Sequence, residues 1–110
     1  DNNIYKFRKN FITFSNKFKI IINKYFTTAI YGAGSHGLGL LSMIDFDKSK
    51  VKFILDLDKL KSNKFSPKTH IPIFSPENID LNSVEAIIII ASLHQDEIIC
   101  DLKNKYYFNA

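Results

Sequence analysis

The four glycines of the chain fall within eight residues, at Gly32, Gly34, Gly37 and Gly39 of "AIYGAGSHGLGLL", residues 29 to 41. The first three are spaced Gly-x-Gly-x-x-Gly, directly after a β-rich run and at the opening of a helical pattern, the context in which this spacing binds phosphates. Gly32 permits the tight turn, Gly34 omits a side chain where a phosphate would approach, and Gly37 lets helix and strand pack closely. Backbone N–H groups at the positive helix end then form an anion site, and the expected ligand carries phosphate. Asp56 closes the run "FILD" 19 residues after Gly37, where this fold holds a ribose hydroxyl. Asp58 is the second candidate for that role. A tight strand-to-helix connection and a strand-end carboxylate would use the same residues without any ligand, so both readings stand at this point.

Three histidines are the other candidates for chemistry. His36 lies inside the glycine loop, where it could donate a hydrogen bond to a phosphate or sugar. His70 opens the third β-rich run and His94 follows the fourth. In a parallel sheet of order 3-2-1-4 only His94 is placed beside Gly32, at the carboxyl edge. No acids stand near these histidines at ligand spacing, so no metal site is expected. No nucleophile and base pair appears either, and no catalytic residue is assigned.

The elements that must position this loop follow from periodicity. Ile4, Phe7, Phe11, Phe14, Phe18, Ile21 and Tyr25 recur in steps of three and four, which predicts one long amphipathic helix over residues 4 to 26. Its aromatic stripe favours packing on a sheet over a coiled-coil seam. "TTAIYG", "VKFILD", "IPIF" and "VEAIIIIAS" then read as four strands. "YYF" at Tyr106 to Phe108 could begin a fifth. Helical spacing returns over about residues 35 to 45 and 94 to 105, the latter with Asp96 and Glu97 early and Lys103 and Lys105 late, as the helix dipole prefers. "SPEN" at Ser75 adds a short helix start with a serine cap and a first-turn proline. Strands alternating with helices, some apolar on both faces, imply an α/β fold: a three-layer, doubly wound, Rossmann-like sheet of four to five mainly parallel strands behind the amino-terminal helix. The expected division is residues 1 to 26 as a helix packing on the domain and 27 to 110 as a Rossmann-like domain.

Composition bounds the function. With 110 residues, 45% hydrophobic and 24% charged, the chain matches one ordinary globular domain. Cys100 is its only cysteine, which rules out an intrachain disulfide and a cysteine-clustered metal site and fits a reducing, cytoplasmic setting. The longest apolar run, Ala86 to Ala91, is too short to span a bilayer. Of the net charge of +4, residues 1 to 26 carry +5 and the rest −1, and only one of the basic residues is arginine. The basicity thus belongs to one helix, and neither a nucleic-acid partner nor a membrane is expected. The chain starts at Asp1 and ends just after "YYF", which reads as a segment of a longer protein.

Four pieces of the sequence resemble the C-terminal domain of sugar C-methyltransferases acting on nucleotide-linked deoxysugars. Gly32 to Gly37 is similar to that family's "GAGAHG" loop, with Leu40 and Leu41 in place of its apolar pair. Asp56 to Lys64 resembles "DDNPLKQGK", with Leu57 for the second acid. Thr69 to Ile73 followed by Ser75-Pro76-Glu77 matches "THIPI.SPE", and Ile87 to His94 followed by Asp96-Glu97-Ile98 resembles an apolar strand, an "AWN" turn and a "DEI" helix start. The likeness covers about residues 20 to 105. It departs at Lys68, where the family has glycine, and at Ser92, which replaces a tryptophan.

In that family S-adenosylmethionine binds a separate middle domain that also supplies the catalytic base, and a zinc-binding domain comes first. This chain has no second glycine-rich loop, cysteine cluster or "EHF" segment, so the resemblance implies a part that does not methylate alone. It implies a domain that covers the active-site cleft and helps to hold a nucleotide diphosphate sugar, with no cofactor of its own, working with the other domains of the parent. The candidate substrate-binding set is Gly32, Gly34, Ser35, His36, Gly37, Asp56, His70, Ser92 and His94. Two other classes share features with it: an NAD(P)-binding domain of a sugar-nucleotide redox enzyme or epimerase, and an assembly module docking through the Phe7 to Tyr25 stripe.

Overall fold

Val51-Lys-Phe-Ile-Leu55 and Ala86-Ile-Ile-Ile89 are runs that pack well on a pleated surface and leave little polar surface for water. In the computed structural model, which describes residues 4–6, 11–32, 43–56, 64–66, 69–90, 95–106 and 108, both lie inside one sheet. The strands are β1 (Ile4–Lys6), β2 (Thr28–Tyr31), β3 (Val51–Leu55), β4 (Lys64–Phe65), β5 (Pro72–Phe74) and β6 (Ala86–Ile89). Their order is β1-β6-β2-β3-β5-β4. All pairings are parallel except that of the two-residue β4 with β5. The four strands expected from the sequence thus stand as β5-β3-β2-β6, the 3-2-1-4 order.

Among the described residues, α1 (Phe11–Lys24) and α2 (Gln95–Asn104) flank this sheet in sequence. Alternate residues of the central strands enter two separate apolar clusters, as the two-residue period of a strand requires. Ile30, Ile54 and Ile88 join Phe18, Ile21 and Ile22 of α1. Ala29, Tyr31, Phe53, Leu55, Ile87 and Ile89 join Leu102 of α2, with Ile98 and Ile99 packed against them. As expected, α2 carries Asp96 and Glu97 in its first turn and Lys103 in its last. The "SPEN" start is a 3₁₀ turn, Pro76–Asn78, capped by Ser75. Of the helix expected over about 35 to 45, Met43 is helical while Ile44 and Asp45 are not, and residues 35 to 42 lie outside the described ones.

The structure corrects two expectations. Residues 4 to 6 are not helical: Ile4, Tyr5 and Lys6 pair with Ile87, Ile88 and Ile89, and the helix runs over 14 residues from Phe11. Three residues cannot show whether their period is two or 3.6. Without β1, the apolar β6 would be an edge with unpaired backbone groups, and satisfying that edge outweighs local helical preference. The second correction concerns "YYF". Neither Tyr106 nor Phe108 lies in a strand; the Phe108 N–H donates to the Leu102 carbonyl at 2.7 Å, and its buried ring joins the α2 cluster.

The amino ends of β2 and β6 are joined by a reciprocal latch. One Glu85 carboxylate oxygen accepts from the N–H groups of Phe26 at 2.7 Å and Thr27 at 3.1 Å. The Glu85 N–H in turn donates to the Thr27 carbonyl at 3.1 Å. This fixes the entry of β2, and so the register that delivers Gly32 to the far end.

Candidate functional site at the carboxyl edge

The sheet ladder runs one residue past its strands at this edge. Gly32 N–H donates to the Leu55 carbonyl at 2.9 Å, Asp56 N–H to Phe74 at 3.0 Å, and Ile90 N–H to Tyr31 at 3.0 Å. Gly32 and Asp56 therefore leave neighbouring strands side by side, about 5 Å apart in the pairing direction. On the other side of β2 stands β6, the last strand to be made. The chain order reverses between β2 and β6, and the crevice at such a reversal is where open α/β sheets bind ligands.

Gly32 has φ of 113°, in the left-handed half of backbone space that glycine occupies without a Cβ clash. That torsion turns the chain out of β2 at once. Its own amide is not an anion donor, because the Leu55 carbonyl already takes it. Amides offered to a phosphate would come from the following loop, and Gly34, Ser35, His36 and Gly37 lie outside the described residues, as do Asp58, Ser92 and His94. Asp56 is half-buried at the exit of β3.

His70 is not brought to this edge. It precedes β5, at the amino end of that strand, with the length of the sheet between it and Gly32. Its φ of 55° is unusual for a residue with a Cβ. A compact turn holds it there: Ser66 N–H donates to the Ile71 carbonyl at 2.9 Å, His70 N–H to the Ser66 carbonyl at 3.0 Å, and Ile71 N–H to Ser66 Oγ at 3.0 Å. The Ser66 and Thr69 hydroxyls also bond to each other. "THIPI" and "SPE" thus sit at opposite ends of β5, and Ser75, the residue after Phe74, is the one beside Asp56.

Tyr31 stands outside the residues whose type and spacing suggest chemistry. It is the last residue of β2 and is 6% exposed. Burial first, then the nearby Tyr106, Asp101 and Asp56, push its phenol up from 10.0 to about 12. The only clue in the sequence was strand parity, which sends residue 31 to the same face as Ala29. The neutral phenol is the form the fold favours. Below pH 10 both folded and unfolded chains are protonated; above it the unfolded chain loses its proton first, so stability falls until about pH 12. The expected loss is on the order of 2 kcal/mol. Urea unfolding of Tyr31→Phe between about pH 9 and about pH 11.5 should show a shallower decline than the parent. Equal declines would place the phenol in water.

Among the described residues no group of three or more His, Cys, Asp or Glu could hold a metal ion. No helix among them is long and apolar enough to cross a membrane. No curated protein and no solved structure matches the chain. A family model, the C-methyltransferase C-terminal domain, matches residues 1–109. With that match over nearly the whole chain, and a glycine exit beside a strand-end carboxylate at the reversal of a mainly parallel sheet, the chain belongs to the C-methyltransferase C-terminal domain family, which implies a methyltransferase role.

Proposed function

We propose that this chain is the substrate-holding part of an S-adenosylmethionine-dependent nucleotide-sugar methyltransferase, working in the cytoplasm. It binds a nucleotide diphosphate sugar at the carboxyl edge of a doubly wound, three-layer domain. The methyl donor and the catalytic base are supplied outside these residues, so the chain orients substrate and does not methylate alone. The observation that carries this reading is the pairing of exits: Gly32 turns sharply out of β2 one strand away from Asp56. Loop residues 33 to 37, with Ser35 and His36, would meet the diphosphate, and Asp56 would accept from sugar hydroxyls. Ser92 and His94, which follow β6 in sequence, would close the other side.

Calorimetry tests the proposal. A nucleotide diphosphate sugar titrated into the chain should give saturable heat, and Asp56→Asn should weaken binding about ten- to a hundredfold, the worth of a hydrogen bond to a charged acceptor. No heat at millimolar sugar nucleotide, with circular dichroism showing the fold intact, would defeat it. Tighter binding of a nicotinamide dinucleotide in a parallel fluorescence titration would favour the redox reading instead.

A further inference from the structure

Tyr31 is buried at the carboxyl edge with a polar atom that the described fold leaves unused. The residue closes β2, one position before the Gly32 turn, and it packs on the α2 side of the sheet with Leu55, Leu102 and Phe108. Its carbonyl accepts from the Ile90 N–H at 3.0 Å, which ties β2 to β6. Among the described residues its hydroxyl has no hydrogen-bond partner. With Tyr31 only 6% exposed, water replaces little of that missing bond. Leaving a buried hydroxyl unpaired costs stability, and phenylalanine would fill the same space without the cost. An oxygen of a ligand bound at this edge gives the hydroxyl its use.

Given sugar-nucleotide binding at this edge, on which the assignment rests, we propose that the Tyr31 hydroxyl donates a hydrogen bond to the sugar of the ligand. With Asp56 it then fixes the sugar, rather than the diphosphate, at the exits of β2 and β3. The two groups are complementary: a carboxylate only accepts and a protonated phenol donates, so sugar hydroxyls, which do both, answer each of them. An ionised phosphate has no proton for Asp56 and would set like charges side by side. Asp101 of α2 adds a second carboxylate near the phenol, while the Lys105 ammonium sits over the Tyr106 ring, 5.4 Å from its centroid. Burial first, then Tyr106, Asp101 and Asp56, keep the phenol protonated far above neutral pH, so it stays a donor. A ring so covered offers a ligand its edge and no face for stacking, which suits one directional bond. The diphosphate is left to the loop after Gly32.

Calorimetry on the full chain and its Tyr31→Phe variant tests this, with uridine and thymidine diphosphate glucose as probes, each beside its sugar-free diphosphate. The variant should bind the glucose-bearing ligands about fivefold more weakly, the worth of one hydrogen bond, and the sugar-free diphosphates within about twofold of the parent. Its urea midpoint at neutral pH without ligand should equal the parent's or exceed it, because the change removes an unpaired buried group and no contact. A purely structural tyrosine would instead lower that midpoint and weaken all four ligands alike. That pattern, or unchanged affinity for the glucose-bearing pair, would overturn the role of Tyr31 and leave sugar-nucleotide binding standing. If the parent binds neither glucose-bearing ligand, sugar-nucleotide binding itself falls, and the role of Tyr31 with it.

Discussion

Gly32→Val is expected to abolish sugar-nucleotide binding while leaving a folded, weakened chain. A φ of 113° is one that a β-branched residue reaches only with a clash between Cβ and the backbone, costing on the order of 1–3 kcal/mol. A domain of ordinary stability, about 5–15 kcal/mol, survives that loss. The binding effect is larger in proportion, since relaxing the torsion swings the start of the loop away from Asp56 and its neighbours. A drop in affinity beyond about tenfold is expected, with a lower urea midpoint and an unchanged denaturant slope. Gly32→Ala should fall between parent and valine variant. If valine is tolerated within about 0.5 kcal/mol, the chain does not leave β2 through this torsion.

The largest stability effect is expected from Phe18→Ala. Phe18 is 0% exposed on α1 and packs edge-to-face on Phe46, with ring planes at 81°. Removing a buried phenylalanine costs about 3–5 kcal/mol through lost transfer energy and the cavity left behind. Ile20, two residues along the same helix, is 68% exposed, and Ile20→Ala should change stability by less than about 0.5 kcal/mol. Urea unfolding of the two variants side by side reads which face of α1 meets the sheet. Similar losses from both would mean that the helix is not seated as described.

The glycine spacing and the acid that follows it were legible because both are local. A strand that must turn sharply at its end shows its glycine whatever surrounds it, and a carboxylate that ends an apolar run marks where that run meets water. The strand order of the central four was legible too, since runs such as Ile87 to Ile90 are apolar at every position, as strands covered on both faces are. Tyr31 was harder to see. Its type suggests nothing by itself, and its buried phenol depends on Asp56, Asp101 and Tyr106, which lie far along the chain from it. His70 misled in the opposite way: a motif that is continuous in sequence is divided by β5, so its histidine and its Ser75 cap face different ends of the sheet.

The amino-terminal segment marks the boundary most clearly. Periodicity alone determined that Phe18 and Ile21 share one helical face, because a stripe over several turns permits no other regular conformation. It also determined that Gly32 would leave a buried strand and that Asp56 would end the next. Only the tertiary structure decided that Ile4 to Lys6 form a strand, for their conformation depends on the open edge of β6, more than 80 residues away. The same holds for Tyr106 and Phe108, whose N–H groups donate back to Asp101 and Leu102 of α2 where a fifth strand was expected. Local preferences of a few tenths of a kcal/mol per residue fix an element where many residues agree, while unpaired backbone groups at a distant sheet edge settle the short segments on which local preference is silent.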